Sequence, residues 1–364
     1  SEMRIARFRS RLLVVLAACN AVWFLTGPLG AAPYSWQLPH AAYSTNGDLV
    51  WQPLPFVYQP GASIRFIDFA AGNDANNGTS TATPWKHHPW DPAATGNAAA
   101  ANGIHTYVFK RGVTYYGRLV PRDSGVAGNP IRLTSDPAWG TGEAALHASE
   151  LITGSWTAGA HPKMPSTNGV YYVDLPFAPR RLWLIEGTNI TRLSLARTPN
   201  WVESNPDDIK SEWWNWLTIG TTTIDGQEYF KCGDTVHLTQ SADYYSNAIL
   251  WTEYQIVMAT PYPARVVQYD AGARALVWKG YWGDTHKPWQ YNRYFLEDKP
   301  HFLDAPGEFW FDKTGEGGRL YVRLPDDRNP NGLRIEAARY MCNLDLVGDL
   351  RYVDISGLAF RFNN

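Results

Sequence analysis

Three acidic residues in one aromatic segment, Asp304, Glu308 and Asp312, are spaced four residues apart. Hydrolysis of a glycosidic bond needs two carboxyl groups, one acting as acid and one as base or nucleophile. The spacing therefore makes these residues candidates for that chemistry. The alternative is structural, because Pro306-Gly307 predicts a turn that Asp304 caps and the surrounding alternation predicts a hairpin. The sequence assigns no catalytic residue.

A second candidate set is Trp213, Trp214 and Trp216. Aromatic faces stack on the C–H surfaces of sugars, and exposed tryptophans on loops form carbohydrate-binding platforms. Burial is the competing expectation, because a β-rich domain in a chain with 17 Trp must bury many of them. The three tryptophans are therefore candidate substrate-binding residues with a structural alternative.

No metal or cofactor site is predicted. His87 and His88 are adjacent, so their side chains diverge in an extended chain, and without a third ligand solvent exposure is expected. The segment 74–78 lacks the ligand series of a calcium loop and predicts an Asx-rich turn. The glycines of segment 315–318 lack the strand-to-helix context and the Lys of a phosphate-binding loop.

Composition favours an all-β protein. Aromatic residues make up 14% and charged residues 18% of the 364 residues, with 31 Gly and 25 Pro. Such a chain forms short strands and turns rather than long helices. The formal net charge is −2 and basic residues cluster only near the start, so nucleic-acid binding is not supported.

The first 31 residues predict a secretory signal peptide. Four arginines precede an apolar run from residue 12 to residue 25, and small residues follow at 30–32. The run is too short to span a membrane. Leu16-Ala-Ala-Cys19 resembles a lipoprotein processing box, so lipidation at Cys19 is the alternative to ordinary cleavage. Both outcomes place the protein outside the cytoplasm, either secreted or on the cell surface (extracellular or periplasmic).

The other two cysteines, Cys232 and Cys342, form an even pair in an oxidising compartment. A disulfide between them is therefore a candidate. Neither has a neighbouring His that would indicate a catalytic thiol.

Short apolar runs predict strands at Ile64–Asp68, Thr106–Phe109, Gly117–Val120, Ile131–Thr134 and Ala144–His147. Near the end, Val353 and Ile355 alternate with polar residues, Gly357 breaks the run, and Leu358, Phe360 and Phe362 alternate again. This pattern predicts a strand, a corner and a strand. Leu333 and Ile335 lie twenty residues earlier, about one coil of a β-solenoid.

Several motifs resemble the opening of secreted right-handed parallel β-helix (pectin-lyase-like) proteins that act on polysaccharides. These motifs are Asp68–Trp85, Phe109–Gly112 with Tyr115–Gly117, Ser124–Ile131, Leu184–Gly187 with Leu195–Asn200, and Tyr294–Asp298 with Leu303–Glu308. In that family the acidic block around Glu308 is structural, and the catalytic carboxylates project from later coils. Pro89 and Pro92 leave little room for the regular capping helix of the family after Trp85.

The resemblance implies the opening of a right-handed parallel β-helix with an inserted β-rich subdomain. The expected domains are a signal peptide (1–31), an extended arm (33–63), a β-helix cap and first coil (64–170), the insertion (171–325) and a truncated start of the β-helix (326–364). The chain is expected to be the N-terminal part of a secreted bacterial polysaccharide-degrading glycoside hydrolase, without the catalytic coils, and with a polysaccharide or oligosaccharide as its partner. The alternatives are a non-catalytic glycan-binding or adhesin module and a polysaccharide lyase.

Overall fold

The structure is a computed structural model that describes residues 41–51, 56–201, 208, 210–254, 258–280, 287–346 and 348–363. The predicted signal peptide and Cys19 lie outside the described residues, as do residues 33–40 and 52–55 of the predicted arm. The chain divides into two compact units, Ser1–Val57 and Tyr58–Asn364. In the first unit, strands β1 (Ala41–Tyr43) and β2 (Leu49–Trp51) form an antiparallel hairpin.

The described part of the second unit is almost entirely β, which confirms the all-β part of the predicted fold class. Its helices are α1 (Gly96–Ala100), α2 (Ala242–Tyr245) and a 3-10 turn (Pro300–Phe302). The strands are β3 (Ile64–Ile67), β4 (Thr106–Arg111), β5 (Thr114–Tyr116), β6 (Ile131–Gly140), β7 (Ala145–His147), β8 (Ser149–Leu151), β9 (Thr157–Ala158), β10 (Val170–Leu175), β11 (Leu182–Glu186), β12 (Asn189–Leu195), β13 (Arg197–Thr198), β14 (Trp214–Asn215), β15 (Thr218–Ile224), β16 (Gln227–Gly233), β17 (Ile249–Tyr254), β18 (Met258–Asp270), β19 (Ala275–Trp278), β20 (Arg293–Glu297), β21 (Glu308–Thr314), β22 (Gly317–Arg323), β23 (Arg334–Ala338), β24 (Val353–Ile355) and β25 (Ala359–Arg361). None of the helices in the described residues is long and apolar enough to cross a membrane.

Two parallel sheets, which we call the parallel stack, are built from the first and last strands of this unit in sequence. One has the strand order β24-β6-β4-β3 and the other has the order β25-β7-β5. Each of β4, β6 and β24 leads directly into its partner in the other sheet, namely β5, β7 and β25. Gly357, at φ +65°, makes the predicted corner between β24 and β25.

The interior of the stack is apolar and aromatic. Its buried side chains come from alternate positions, as Ile131 and Leu133 show on either side of the half-buried Arg132. Burying each such side chain stabilises the fold by about 1.5–3 kcal/mol. The core includes Ile67, Trp85, Trp90, Tyr107, Phe109, Ile131, Leu133 and Leu146. The five-residue α1 agrees with the expectation that the prolines after Trp85 prevent a longer helix there.

The chain between β7 and β24 forms two further sheets that are mostly antiparallel. The first has the order β8-β23-β11-β12-β21-β22-β10-β9, and the second has the order β13-β20-β17-β18-β19-β16-β15 with β14 against β20. These strands extend on both sides of the predicted insertion at 171–325. The chain passes from the first sheet to the second at Ala196, whose N–H donates to Phe309 and whose carbonyl accepts from Asp298.

The predicted pairing of Leu333 and Ile335 with the coil of Val353 is wrong. Ile335 lies in β23, which pairs antiparallel with β11 and β8. The strand that stacks on β24 is β6, with Ile131 opposite Val353. The twenty-residue spacing between Leu333 and Val353 is therefore a coincidence. The strand that pairs with β24 is separated from it in sequence by the whole segment between β7 and β24. The predicted strand Gly117–Val120 is also wrong in position. The strand in this region is β5, at Thr114–Tyr116, and within Gly117–Val120 Leu119 makes an isolated β-bridge.

Candidate functional site

Three adjacent strands, β10, β22 and β21, carry polar and aromatic side chains on one face of their sheet. Cross-strand register places Asp174 opposite Arg319 and Arg319 opposite Asp312. One step along the same face, Tyr321 lies between Tyr172 and Trp310 in the same way. Side chains two residues apart share a face in a strand, so both rows project to the same side.

Side chains of β21 alternate between the two faces of the sheet, which explains why the face that carries Asp312 is not covered by the core of the first antiparallel sheet. Phe309 and Phe311 point into the core of the first antiparallel sheet, while Trp310 points the other way into the core of the second. Gly318 has φ +155°, and a Cβ built on it would lie 2.1 Å from the carbonyl oxygen of Asp312. Glycine at this position is therefore what permits the close approach of β22 to β21 beside the polar row.

Beyond Trp310 the polar row opens into a groove of about 340 Å³. Its lining residues are Asp174, Leu175, Asp312, Thr314, Gly318, Arg319 and Tyr321. Small-molecule sites have volumes of roughly 300–1,000 Å³, so this groove has room for one small ligand. We call it the β10–β21 groove.

Arg319 is held to one wall of the β10–β21 groove. Its Nε and Nη2 donate to the two carboxylate oxygens of Asp174 at 2.8 and 3.3 Å. The guanidinium also lies over the Tyr172 ring, 4.3 Å from the ring centre. The hydrogen bond from Arg319 lowers the pKa of Asp174, and the same bond raises the pKa of Arg319. Both groups are therefore charged at neutral pH.

Asp312 faces the groove without such a partner. Although it lies opposite Arg319 in register, no Lys, Arg or His in the described ranges comes within ion-pair distance of its carboxylate. Two aspartates and one arginine give the groove lining a formal charge of −1. Such a site can accept hydrogen bonds from ligand hydroxyl or amino groups at Asp312 and donate them from Arg319.

Glu308 lies two residues before Trp310 on the same face, but it is enclosed. The residue is 3% exposed, and its Oε1 accepts from the backbone N–H of Arg197 at 3.3 Å. Its Oε2 is buried without a partner in the described structure. Burial, and then the charge of Asp304, raise the pKa of Glu308 to about 8. Glu308 is therefore a neutral carboxylic acid at pH 7, walled off from substrate, which favours the structural alternative.

Arg197 joins Glu308 to an aromatic cluster. Its guanidinium packs on the Phe295 ring at 3.7 Å from the ring centre, and Trp213 lies 5.8 Å away. Burial lowers the pKa of Arg197 to about 10, although Glu297 and Glu308 act in the opposite direction. The structure thus brings the candidates Trp213 and Glu308 into one buried cluster, centred on an arginine that carried no signal in the sequence.

The tryptophan segment does not form an exposed platform. Trp213 is buried with its ring edge against Phe295 at 4.5 Å. Trp216 is fully buried, stacked on Tyr294 at 3.8 Å, and its indole N–H donates to Thr252 at 2.8 Å. The structure corrects the platform prediction for these two residues, because their faces are used in packing.

Trp214 is the remaining member of that segment. It is half-buried and stacks on His237 with a centroid distance of 4.8 Å. His237 in turn bonds Asp234 at 2.7 Å. One face of Trp214 is therefore taken, and ligand binding by this residue remains a prediction.

The predicted exposure of the histidine pair is wrong. His87 bonds Asp74 at 2.6 Å, and His88 is buried between aromatic rings. The carboxylate of Asp74 also accepts the backbone N–H groups of Lys86, His87 and Thr95, so segment 74–78 is held by hydrogen bonds within the protein. Within the described ranges, no group of three or more His, Cys, Asp or Glu side chains is arranged to hold a metal ion.

The predicted disulfide is also absent. Cys232 and Cys342 are both free thiols. Cys232 is fully buried in the core of the second antiparallel sheet, whereas Cys342 lies after β23 and is partly exposed. Burial raises the pKa of Cys232 to about 12, so its thiol is unreactive in the folded protein.

A buried carboxylate that the sequence did not single out joins the parallel sheets to the first antiparallel sheet. Glu336 of β23 is fully buried and accepts hydrogen bonds from His147 Nδ1 at 2.8 Å, Ser149 Oγ at 2.6 Å and Tyr116 OH at 3.1 Å. Arg334 adds an ion pair at 2.6 Å. Burial acts to raise the pKa of Glu336, but the bonds from His147 and Ser149 more than offset it, and the pKa is lowered. This network is structural.

Comparison with known proteins gives a fold relationship. No family model matches the chain, and no curated protein matches it in sequence. A solved structure described as "Glycoside hydrolase" matches 83% of this chain and 51% of its own with a TM-score of 0.56 and 16% identity. Another, described as "The complex structure of XylC with xylose", covers 80% of this chain and 34% of its own with a TM-score of 0.35 and 12% identity. The chain shares the fold of the first and spans about half its length.

Proposed function

We propose that the chain is a secreted, carbohydrate-active protein of the parallel β-helix type, related to glycoside hydrolases, and that it binds a saccharide in the β10–β21 groove. The stacked pairs β4–β5, β6–β7 and β24–β25 are, in this proposal, successive coils of the β-helix. The shared fold with a glycoside hydrolase supports the class, although fold alone is a weak guide to activity.

The observation that carries the binding proposal is the composition of the groove. It combines the ring of Tyr321, a bidentate Arg319–Asp174 pair and an Asp312 that has no ion-pair partner among the described residues, in about 340 Å³. Planar polar groups next to aromatic rings match the alternating hydroxyl and C–H surfaces of a sugar ring.

The proposal assigns binding, and not bond cleavage, to the groove. A general acid needs a raised pKa, whereas Arg319 lowers the pKa of Asp174. Glu308 has the raised pKa but is enclosed. The second candidate function is therefore a glycan-binding module with no catalysis anywhere in the protein, whereas the leading proposal excludes cleavage only from this groove. Release of reducing ends from a polysaccharide panel would decide for the hydrolase. Ultraviolet-absorbing unsaturated products would instead indicate a lyase.

The test is calorimetric titration of the protein with neutral, amino and acidic oligosaccharides. Arg319→Ala removes the arginine of the groove, and Arg351→Ala is a matched control, because Arg351 is an exposed arginine that pairs with Asp349 beside β24. We expect the first variant to lose saccharide binding at least about tenfold, since it removes charge-assisted hydrogen bonds, and the control to bind normally. Near-ultraviolet circular dichroism confirms that both variants are folded. Absence of binding to every sugar, or equal binding by Arg319→Ala, would refute the proposal.

A further inference from the structure

The side chains of the β10–β21 groove are charged unevenly across its width. Asp174 and Arg319 neutralise each other on the β10 side. The carboxylate of Asp312 on the β21 side has no cationic neighbour within ion-pair distance in the described part of the chain. A ligand that enters the groove therefore meets one uncompensated negative charge.

Arg319 does not swing across to neutralise Asp312, although the two residues are directly opposite in register. Its fork makes two hydrogen bonds with Asp174 and lies flat over Tyr172. Bidentate pairing and stacking together favour one orientation of a guanidinium. Moving Arg319 would break three interactions to form one.

Tyr321 also lines the groove, one step along the same face from Asp312 and Arg319. Burial raises the pKa of the Tyr321 hydroxyl, while Arg319 acts in the opposite direction and Asp312 adds to the rise. The hydroxyl therefore stays protonated and adds no charge of its own. The groove thus has a mutually neutralised Asp174–Arg319 pair on the β10 side and the anionic Asp312 on the β21 side, and Tyr321, one step along from this row, carries no charge.

From this arrangement we propose that the β10–β21 groove selects sugars by charge, with Asp312 as its specificity-determining residue: it binds amino sugars more tightly, and uronic acids more weakly, than neutral sugars. This inference rests on the proposed saccharide binding. An ammonium group placed at Asp312 gains a charge-assisted hydrogen bond, and a uronate carboxylate there meets a like charge.

The experiment compares three probes of equal length: a glucosamine trimer, a glucose trimer and a glucuronate trimer. At an exposed site about 4 Å from a unit charge, the interaction is about 1 kcal/mol in water and grows with burial. The amino trimer should therefore bind at least about fivefold more tightly than the neutral one, and the uronate at least about fivefold more weakly. Raising the ionic strength to about 1 M should reduce both ratios, because the Debye length falls to about 3 Å.

Two variants test the origin of the preference. Asp312→Asn should bring the three affinities together, and Asp174→Asn should do so as well, because it frees Arg319 to pair with Asp312. Glu316→Gln is the matched control, since it removes one charge from the adjacent hairpin turn but does not line the groove. The control should keep the full preference.

The outcomes separate the two proposals. If no trimer binds, saccharide binding itself is refuted and this inference falls with it. If the neutral trimer binds and the uronate binds equally well or better, saccharide binding stands and the charge selection is overturned. A preference that survives Asp312→Asn would also overturn it.

Discussion

Glu308→Gln replaces an enclosed carboxyl group by a neutral amide of nearly the same shape. Folding raises the pKa of this carboxyl from 4.5 to about 8, because its environment disfavours the charged form. A raised pKa stabilises the folded protein fully below pH 4.5, and this stabilisation is lost as the pH rises through 8. At about 1.4 kcal/mol per pKa unit, the loss amounts to at most about 5 kcal/mol.

Wild type and Glu308→Gln should therefore be similarly stable near pH 5 and diverge as the pH rises, with the variant more stable at pH 9. The assay is guanidinium unfolding of both proteins at each pH unit from 5 to 9. Glu316→Gln is the control, because Glu316 lies in the exposed turn of the same hairpin and should follow wild type. Parallel stability curves for wild type and Glu308→Gln would show that the carboxyl is not enclosed as described.

Three further results are expected. Glu336→Gln should lower the free energy of unfolding at pH 7 by about 3 kcal/mol or more, because it breaks a buried pair with His147. Folding lowers the pKa of Glu336, so the difference from wild type in denaturant unfolding should shrink as the pH falls below the unfolded pKa and through the lowered folded pKa. Gly318→Ala should reduce the melting temperature, because its Cβ would collide with the opposite backbone. Iodoacetamide with peptide mapping should label Cys342 in the native protein and Cys232 only after unfolding, and native labelling of Cys232 would contradict its burial.

The strands of the parallel stack could be predicted locally. Ile131–Thr134 and Val353–Ile355 are short alternating runs bounded by turn residues, and Gly357 marks the corner between two strands. Their pairing could not be predicted, because period and alternation define a strand but not its neighbour. Ile335 shows this, since it has the right pattern for a coil and yet belongs to an antiparallel sheet.

The candidate site could be predicted only in part from the sequence, for the same reason. The sequence makes Asp312 a candidate only as one of three acidic residues, and Asp174 and Arg319 come next to it through strand register, which the sequence does not display. Trp213 and Trp216 were chosen by residue type, and residue type does not distinguish an indole that stacks on sugar from one that stacks on Tyr294. Aromatic rings stack in the same way in a protein core and on a sugar-binding surface.

The long segment between β7 and β24 has a consequence for the order of folding. Ser135 and Gly357 are hydrogen-bonded although 222 residues separate them. Closing so long a loop is entropically costly, and contacts of this range slow the search for the native topology. The intervening antiparallel sheets, whose hairpins are local, should acquire protection from hydrogen exchange first. Strands β24 and β25 would then pair with β6 and β7 late in folding, after the antiparallel sheets have formed. Their pairing therefore depends on correct folding of the chain between them.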